Sequence, residues 1–143
     1  MHVHRFSFPV TLTPDPGGGF VVTFPDFPEA ITQGDDKAEA MAQATDCLEE
    51  AIAGRLRRGD EIPHPSRGRL VATVPPTMAA KAALHLALRE CHLPKTALAR
   101  RLGCDEKEAR RLLDPAQTSK IERLAEALHA LGKELVISVR DAA

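Results

Sequence analysis

Five carboxylates, Asp15, Asp26, Glu29, Asp35 and Asp36, lie in and just after the stretch PDPGGGFVVTFPDFPE, around the glycines Gly17, Gly18 and Gly19. Carboxylates gathered in one place can hold two magnesium ions for phosphodiester hydrolysis, the chemistry of a metal-dependent nuclease. Each is also what a turn or a helix cap calls for, because a short acidic side chain there accepts from nearby backbone N–H groups. No catalytic pair is needed to explain them. The glycines lack the Gly-Lys-Ser/Thr ending of a P-loop and the GxGxxG spacing of a dinucleotide site. They also precede an extended run, whereas phosphate cradles open helices. They read as a chain reversal.

The other reactive side chains do not converge. His2 and His4 lie near the start, His64 between two prolines, His85 and His129 in helical stretches, and His92 beside Cys91, with no HExxH anywhere. Cys47, Cys91 and Cys104 are odd in number and without a CxxC, so they read as reduced thiols rather than a disulfide framework or zinc knuckle. No nucleophile with its base is legible. The expectation is a chain with no catalytic, metal or cofactor residue, and not an enzyme.

A different constellation lies further on, in KTALARRLGCDEKEARRLLDP. Leu98, Ala99 and Leu102 face inward on one short helix, Gly103 takes the turn, and Ala109, Leu112 and Leu113 face inward on the next; a helix-turn-helix needs this spacing. The second helix then presents Glu106, Lys107, Arg110 and Arg111 outward, where side chains reach base edges or phosphates in a major groove. Thr96 and Arg100 on the first helix are placed for phosphates. The Asp-Glu-Lys-Glu opening is acidic for such a surface, and an ordinary helical bundle would carry similar solvated charges.

These residues need elements to hold them. All five Phe fall within the first 27 residues and the chain has no Trp or Tyr, which points to two differently built halves. Phe6, Phe8, Val10 and Leu12, then Phe20, Val22 and Phe24, recur with the period of strands. Pro9 in the first run favours an edge or irregular place. A third strand is expected near 30–32, and a fourth at LVATV, 70–74. Between them Asp36 and Glu39 form a capping-box pair opening a long helix with Met41, Ala44, Leu48, Ala51 or Ile52, and Leu56 on its core stripe, and Gly59 past its end. Pro75-Pro76 then punctuates the chain. Helices follow, one over about 77–91 and one opened by Ser119 with Glu122 and carrying Ile121, Leu124, Ala125, Leu128 and Leu131 inward. Leu135, Ile137 and Val139 alternate as a C-terminal strand that can pair with its copy in a second chain. The class is α+β: a sheet of three to four strands with one long helix over 1–74, then an all-α helix-turn-helix unit with a C-terminal strand over 77–143.

Charge divides the same way. Residues 1–60 hold ten Asp/Glu against five Lys/Arg, and 77–143 twelve Lys/Arg against nine Asp/Glu, within a net charge of -1. An acidic front and a basic back expect partners of opposite sign. On the front helix Asp46, Glu49 and Glu50 lie off the core stripe and are the contacts expected for a basic partner. No run approaches the roughly 18 apolar residues of a membrane span and no signal-peptide pattern opens the chain, so a cytoplasmic protein is expected.

Taken together, FPVTLTPDPGGGFVVTFPDFPEAITQGDDKAEAMAQATDCLEEAI, then VPPTMAAKAALHLALRE, ALARRLGCDEKEARRLLDP and LAEALHALGKEL resemble the HicB antitoxins of bacterial toxin–antitoxin pairs, in the variant with a C-terminal helix-turn-helix. The resemblance implies a front unit with a partial ribonuclease H-like fold that has no catalysis and blocks HicA, a small mRNA-cleaving toxin. It also implies a back unit that binds operator DNA and represses its own operon as a homodimer or homotetramer. Two other functions fit the residues less well: an active metal-dependent nuclease of ribonuclease H type, and a stand-alone regulator that senses a small ligand.

Overall fold

The computed structural model describes residues 3–142, so His2 lies outside the described residues. The chain is α+β, strands first and helices after: β1 Ser7–Pro9, β2 Thr11–Pro14, β3 Phe20–Thr23, β4 Ile31–Gly34, α1 Lys37–Arg58, β5 Val71–Thr73, α2 Pro76–Glu90, α3 Lys95–Leu102, α4 Glu106–Leu113 and α5 Ile121–Ala130.

The strands form two antiparallel sheets, β1 with β5 and β2-β3-β4. Pro9 explains the division. It has no N–H to give a ladder, so β1 ends there, opposite Val71, and the chain changes partner. Val10 N donates once more to Leu70 O (2.9 Å), and from Thr11 the strand pairs with β3. The β2–β3 reversal is the glycine run, with Gly18 and Gly19 at positive φ.

Helix α1 crosses this layer at close range because two glycines allow it. A β-carbon on Gly34 would fall on the backbone of Ala40, and one on Gly19 on the carbonyl of Gly34. Hairpin, β4 and the first turn of α1 thus touch backbone to backbone. Asp36 caps α1 by accepting from Glu39 N (2.8 Å), and Gly59 closes it in the left-handed conformation. The buried stripe is Ala40, Ala44, Leu48, Ile52 and Leu56; Ala40 takes the place expected for Met41, which is half-buried. Phe8 and Phe27 meet edge to face at 4.9 Å inside this core.

Helix α2 serves two cores. Ala82 is buried in the front one, with Met78, Ala79 and Leu86 against it, while Ala80, Leu84, Ala87 and Leu88 belong to a second core with α3, α4 and α5. Gly103, at φ 67°, joins α3 to α4, and Asp105 caps α4 by accepting from Glu108 N (2.8 Å).

Two expectations for α5 fail. Ser119 does not cap α5; Lys120 holds the cap position without a side-chain bond, and the Ser119 hydroxyl instead accepts from Lys81 Nζ (2.9 Å). Ala127 rather than Ala125 is buried on that helix. Residues 135–139 pair with no strand among the described residues, and the pairing expected for them is with a second copy. Val136, Ile137 and Val139 are exposed by 73, 71 and 94%. Beyond them Arg140 Nη2 donates to Thr73 Oγ1 (2.8 Å) on β5.

Replacing Gly34 by Ala forces backbone apart at the β4–α1 contact and should cost about 1–3 kcal/mol, the usual range for overpacking. Urea denaturation monitored by circular dichroism checks it; wild-type stability in Gly34→Ala would contradict the close approach.

Candidate functional site

Four of the five front carboxylates are committed to local structure, and the fifth, Asp35, is exposed. Asp15 Oδ1 accepts from Gly17 N (3.1 Å) inside the turn. Asp26 Oδ2 accepts from Ser66 N (2.8 Å) and its Oδ1 from the Ser66 hydroxyl, which pins the loop before β5 to the exit from β3. Glu29 accepts from Arg55 Nε (2.7 Å) and Nη2 (2.9 Å), and the same guanidinium stacks over Phe27, 4.6 Å from the ring centre. This bond holds the Glu29 carboxyl below the ordinary carboxylate range. Asp36 caps α1, and the exposed Asp35 lines an open cavity beside the hairpin turn together with Asp15. Among the described residues no three His, Cys, Asp or Glu lie together as a metal would require.

The histidines and cysteines also stay apart. His4 is not part of a loose end: its ring stacks on His64 at 5.2 Å, and its Nε2 donates to Glu90 Oε1 (3.0 Å). His85 is half-buried with Nε2 enclosed and unpaired among the described residues; burial first, then the Arg89 charge, lowers its pKa. Cys47 and Cys104 are half-buried and Cys91 exposed, all three as free thiols.

Two surfaces remain. On α1, Asp46 and Glu50 are exposed and Glu49 half-buried, and none of the three enters an ion pair among the described residues. The unpaired charge is therefore open to a partner.

The second surface is on α3 and α4. Thr96, Arg100, Glu106, Lys107, Arg110 and Arg111 are all exposed, while Leu98, Ala99, Ala109, Leu112 and Leu113 are buried behind them. The acidic opening of α4 is largely answered from within. Arg123 on α5 donates to Glu108 Oε1 from Nε (3.0 Å) and Nη2 (2.8 Å), and from Nη1 to Glu126 (2.8 Å). Glu106 lies one turn before Arg110, 3.9 Å from its guanidinium, with both side chains solvated. Lys107 and Arg111 enter no ion pair among the described residues, and α4 presents net positive charge outward.

Sequence reasoning missed two residues behind this surface, Arg123 and Lys81. The Lys81 side chain is buried, 1% exposed, and its ammonium donates to Arg111 O (2.9 Å) and Leu112 O (3.1 Å) at the end of α4, as well as to Ser119. Burial lowers its pKa, opposed by the Asp114 charge. One signal was available: Lys81 falls three and seven residues before Leu84 and Leu88, on an apolar stripe where a lysine needs buried acceptors.

Residues 7–83 match a family described as HicB-like antitoxin of bacterial toxin-antitoxin system. The chain is similar to "Antitoxin HicB 1" of Photorhabdus laumondii, 35% identical over 142 residues, spanning 95% of this chain and 92% of that protein. "Antitoxin HicB" of Escherichia coli K12 is 40% identical over 131 residues, 90% of this chain and 95% of the relative. "Antitoxin HicB" of Pseudomonas fluorescens is 32% identical over 141 residues, 96% of each chain.

The Glu29–Arg55 bond gives a pH signature. A carboxylate whose pKa is depressed on folding adds stability above its unfolded pKa and loses it as pH falls through the folded value. Arg55→Met should therefore lower the urea midpoint at pH 7, and the gap from wild type should narrow as pH falls through the depressed Glu29 pKa. A gap independent of pH would assign Arg55 to packing alone.

Proposed function

The chain belongs to the HicB-like antitoxin family of bacterial toxin–antitoxin systems, and on that premise we propose that it inhibits a toxin by binding and represses its own operon. In this reading the unit over 1–74 sequesters a HicA-type mRNA-cleaving toxin and performs no catalysis of its own. The unit over 77–143 is a helix-turn-helix that binds operator DNA. The protein acts in the cytoplasm without metal or cofactor; no helix among the described residues is long and apolar enough to cross a membrane.

One observation carries the reading: the acids on the two surfaces are treated differently. Asp46, Glu49 and Glu50 on α1 enter no ion pair among the described residues, whereas Glu106 and Glu108 on α4 each lie in one with an arginine. A toxin that grips RNA must be basic where it does so, and an unpaired acidic helix face complements it. DNA is a dense row of phosphates, and a recognition helix must meet it with its acids neutralised. Lys107, Arg110 and Arg111 are then the groups for base edges, with Thr96 and Arg100 for phosphates and Glu106 beside them as a local acceptor.

A single recognition helix of two turns binds weakly, and a two-fold protein gains by reading two half-sites about 34 Å apart. The exposed run Val136, Ile137 and Val139 supports such a dimer or a tetramer, since its free ladder groups can pair with the same segment of a second copy.

Replacing Arg110 and Arg111 together by Ala should weaken operator binding by about tenfold or more, given about 1–3 kcal/mol for each lost base contact. Toxin inhibition should persist. In the converse variant, Asp46→Lys with Glu50→Lys, toxin inhibition should weaken while operator affinity stays. Gel-shift titration and an RNA-cleavage assay on each variant read the two activities separately. Loss of both activities together in either variant would count against two independent faces.

A further inference from the structure

The ammonium of Lys81 is enclosed and has three protons and three acceptors: the carbonyls of Arg111 and Leu112 and the hydroxyl of Ser119. The two carbonyls belong to the last turn of α4, where a helix runs out of amides to satisfy them; Arg111 O also accepts from Asp114 N, at 3.3 Å. A cation there also meets the negative end of the helix. The hydroxyl belongs to the connection into α5. One atom on α2 thus fixes the relative positions of α2, the end of α4 and the entry to α5.

An apolar side chain of the same length would fill this space without the cost of burying a charge. What the ammonium adds is geometry: three directed bonds define a point, where packing alone tolerates sliding. Helix α4 has eight residues, so fixing its last turn sets its rotation and tilt throughout. Arg111 offers its side chain outward while its own carbonyl is one of the three acceptors.

We infer that Lys81 is a positioning residue for operator reading, setting the orientation in which Lys107, Arg110 and Arg111 meet the bases. The inference rests on the operator-binding function proposed above. Contacts to phosphate tolerate a small displacement of the helix, because charge attraction falls off gradually; contacts to base edges do not, because they depend on hydrogen-bond direction. Loss of the ammonium should therefore reduce discrimination between sequences more than affinity for DNA as such.

The test uses the full chain. Affinities of wild type and Lys81→Met are measured for the DNA upstream of its own gene and for a scrambled duplex of equal length, across a range of salt. In Lys81→Met the ratio of the two affinities should fall about tenfold or more, as expected when a directed base contact is lost. Binding to the scrambled duplex, its salt dependence and toxin inhibition should stay at wild-type values. Ser119→Ala, which removes one acceptor and leaves the ammonium, should shift the ratio the same way by less, and it serves as the measurement if Lys81→Met fails to fold. An unchanged ratio in a folded variant, or an equal fall in both affinities, overturns the inference. Wild-type protein that binds the two duplexes alike would overturn operator reading itself, and this inference with it.

Discussion

Helix α2 is the constraint on which the two halves depend, because it is buried from both sides. Its residues toward the front core are Met78, Ala79 and Ala82, and those toward the later helices are Ala80, Leu84, Ala87 and Leu88. A helix packed on opposite faces needs small side chains where its neighbours approach most closely, which accounts for the alanine-rich sequence PTMAAKAALHLAL. Lys81 is the exception on this apolar helix, and it bonds the end of α4 and the entry to α5 at once. The helix that closes the front core therefore also sets the orientation of α4.

In the front half, geometry turns apparent chemistry into structure. The glycines bring the hairpin, β4 and α1 to backbone contact. The carboxylates around them hold a turn, a loop, an arginine and a helix start. Beyond those bonds, Asp35 before α1 and Asp46 and Glu50 on it stay exposed to solvent. Relatives of this chain are named as antitoxins, and the acidic face of α1 is the surface proposed for the toxin.

Local periodicity and capping made much of this legible in advance. Asp36, Gly59 and Gly103 act within four residues of themselves, and each was readable because its partners are its sequence neighbours. The outward residues of α4 followed from helical phase alone. What escaped depends on partners far along the chain. Lys81 reaches residues 30 to 38 positions away, and Arg123 reaches Glu108 across 15. Ser119 matched a capping box in sequence but gave its hydroxyl to that distant lysine. The division of the sheet at Pro9 was visible only as an irregularity, because a missing N–H does not say which strand takes over. Residues 135–139 have the pattern of a strand, but a strand exists only with a partner, and one chain does not supply it.

In the proposed function this chain silences a ribonuclease by occupying it, without chemistry of its own. Titrating a purified HicA-type toxin from the same genome with this protein, and following RNA cleavage in the presence of a metal chelator, tests that most directly. The account predicts that cleavage falls in proportion to added protein and stops at a fixed stoichiometry, and that the protein alone leaves RNA intact when magnesium is supplied. Toxin that stays active in excess protein, or magnesium-dependent cleavage by the protein alone that is lost in Asp26→Ala, would contradict it.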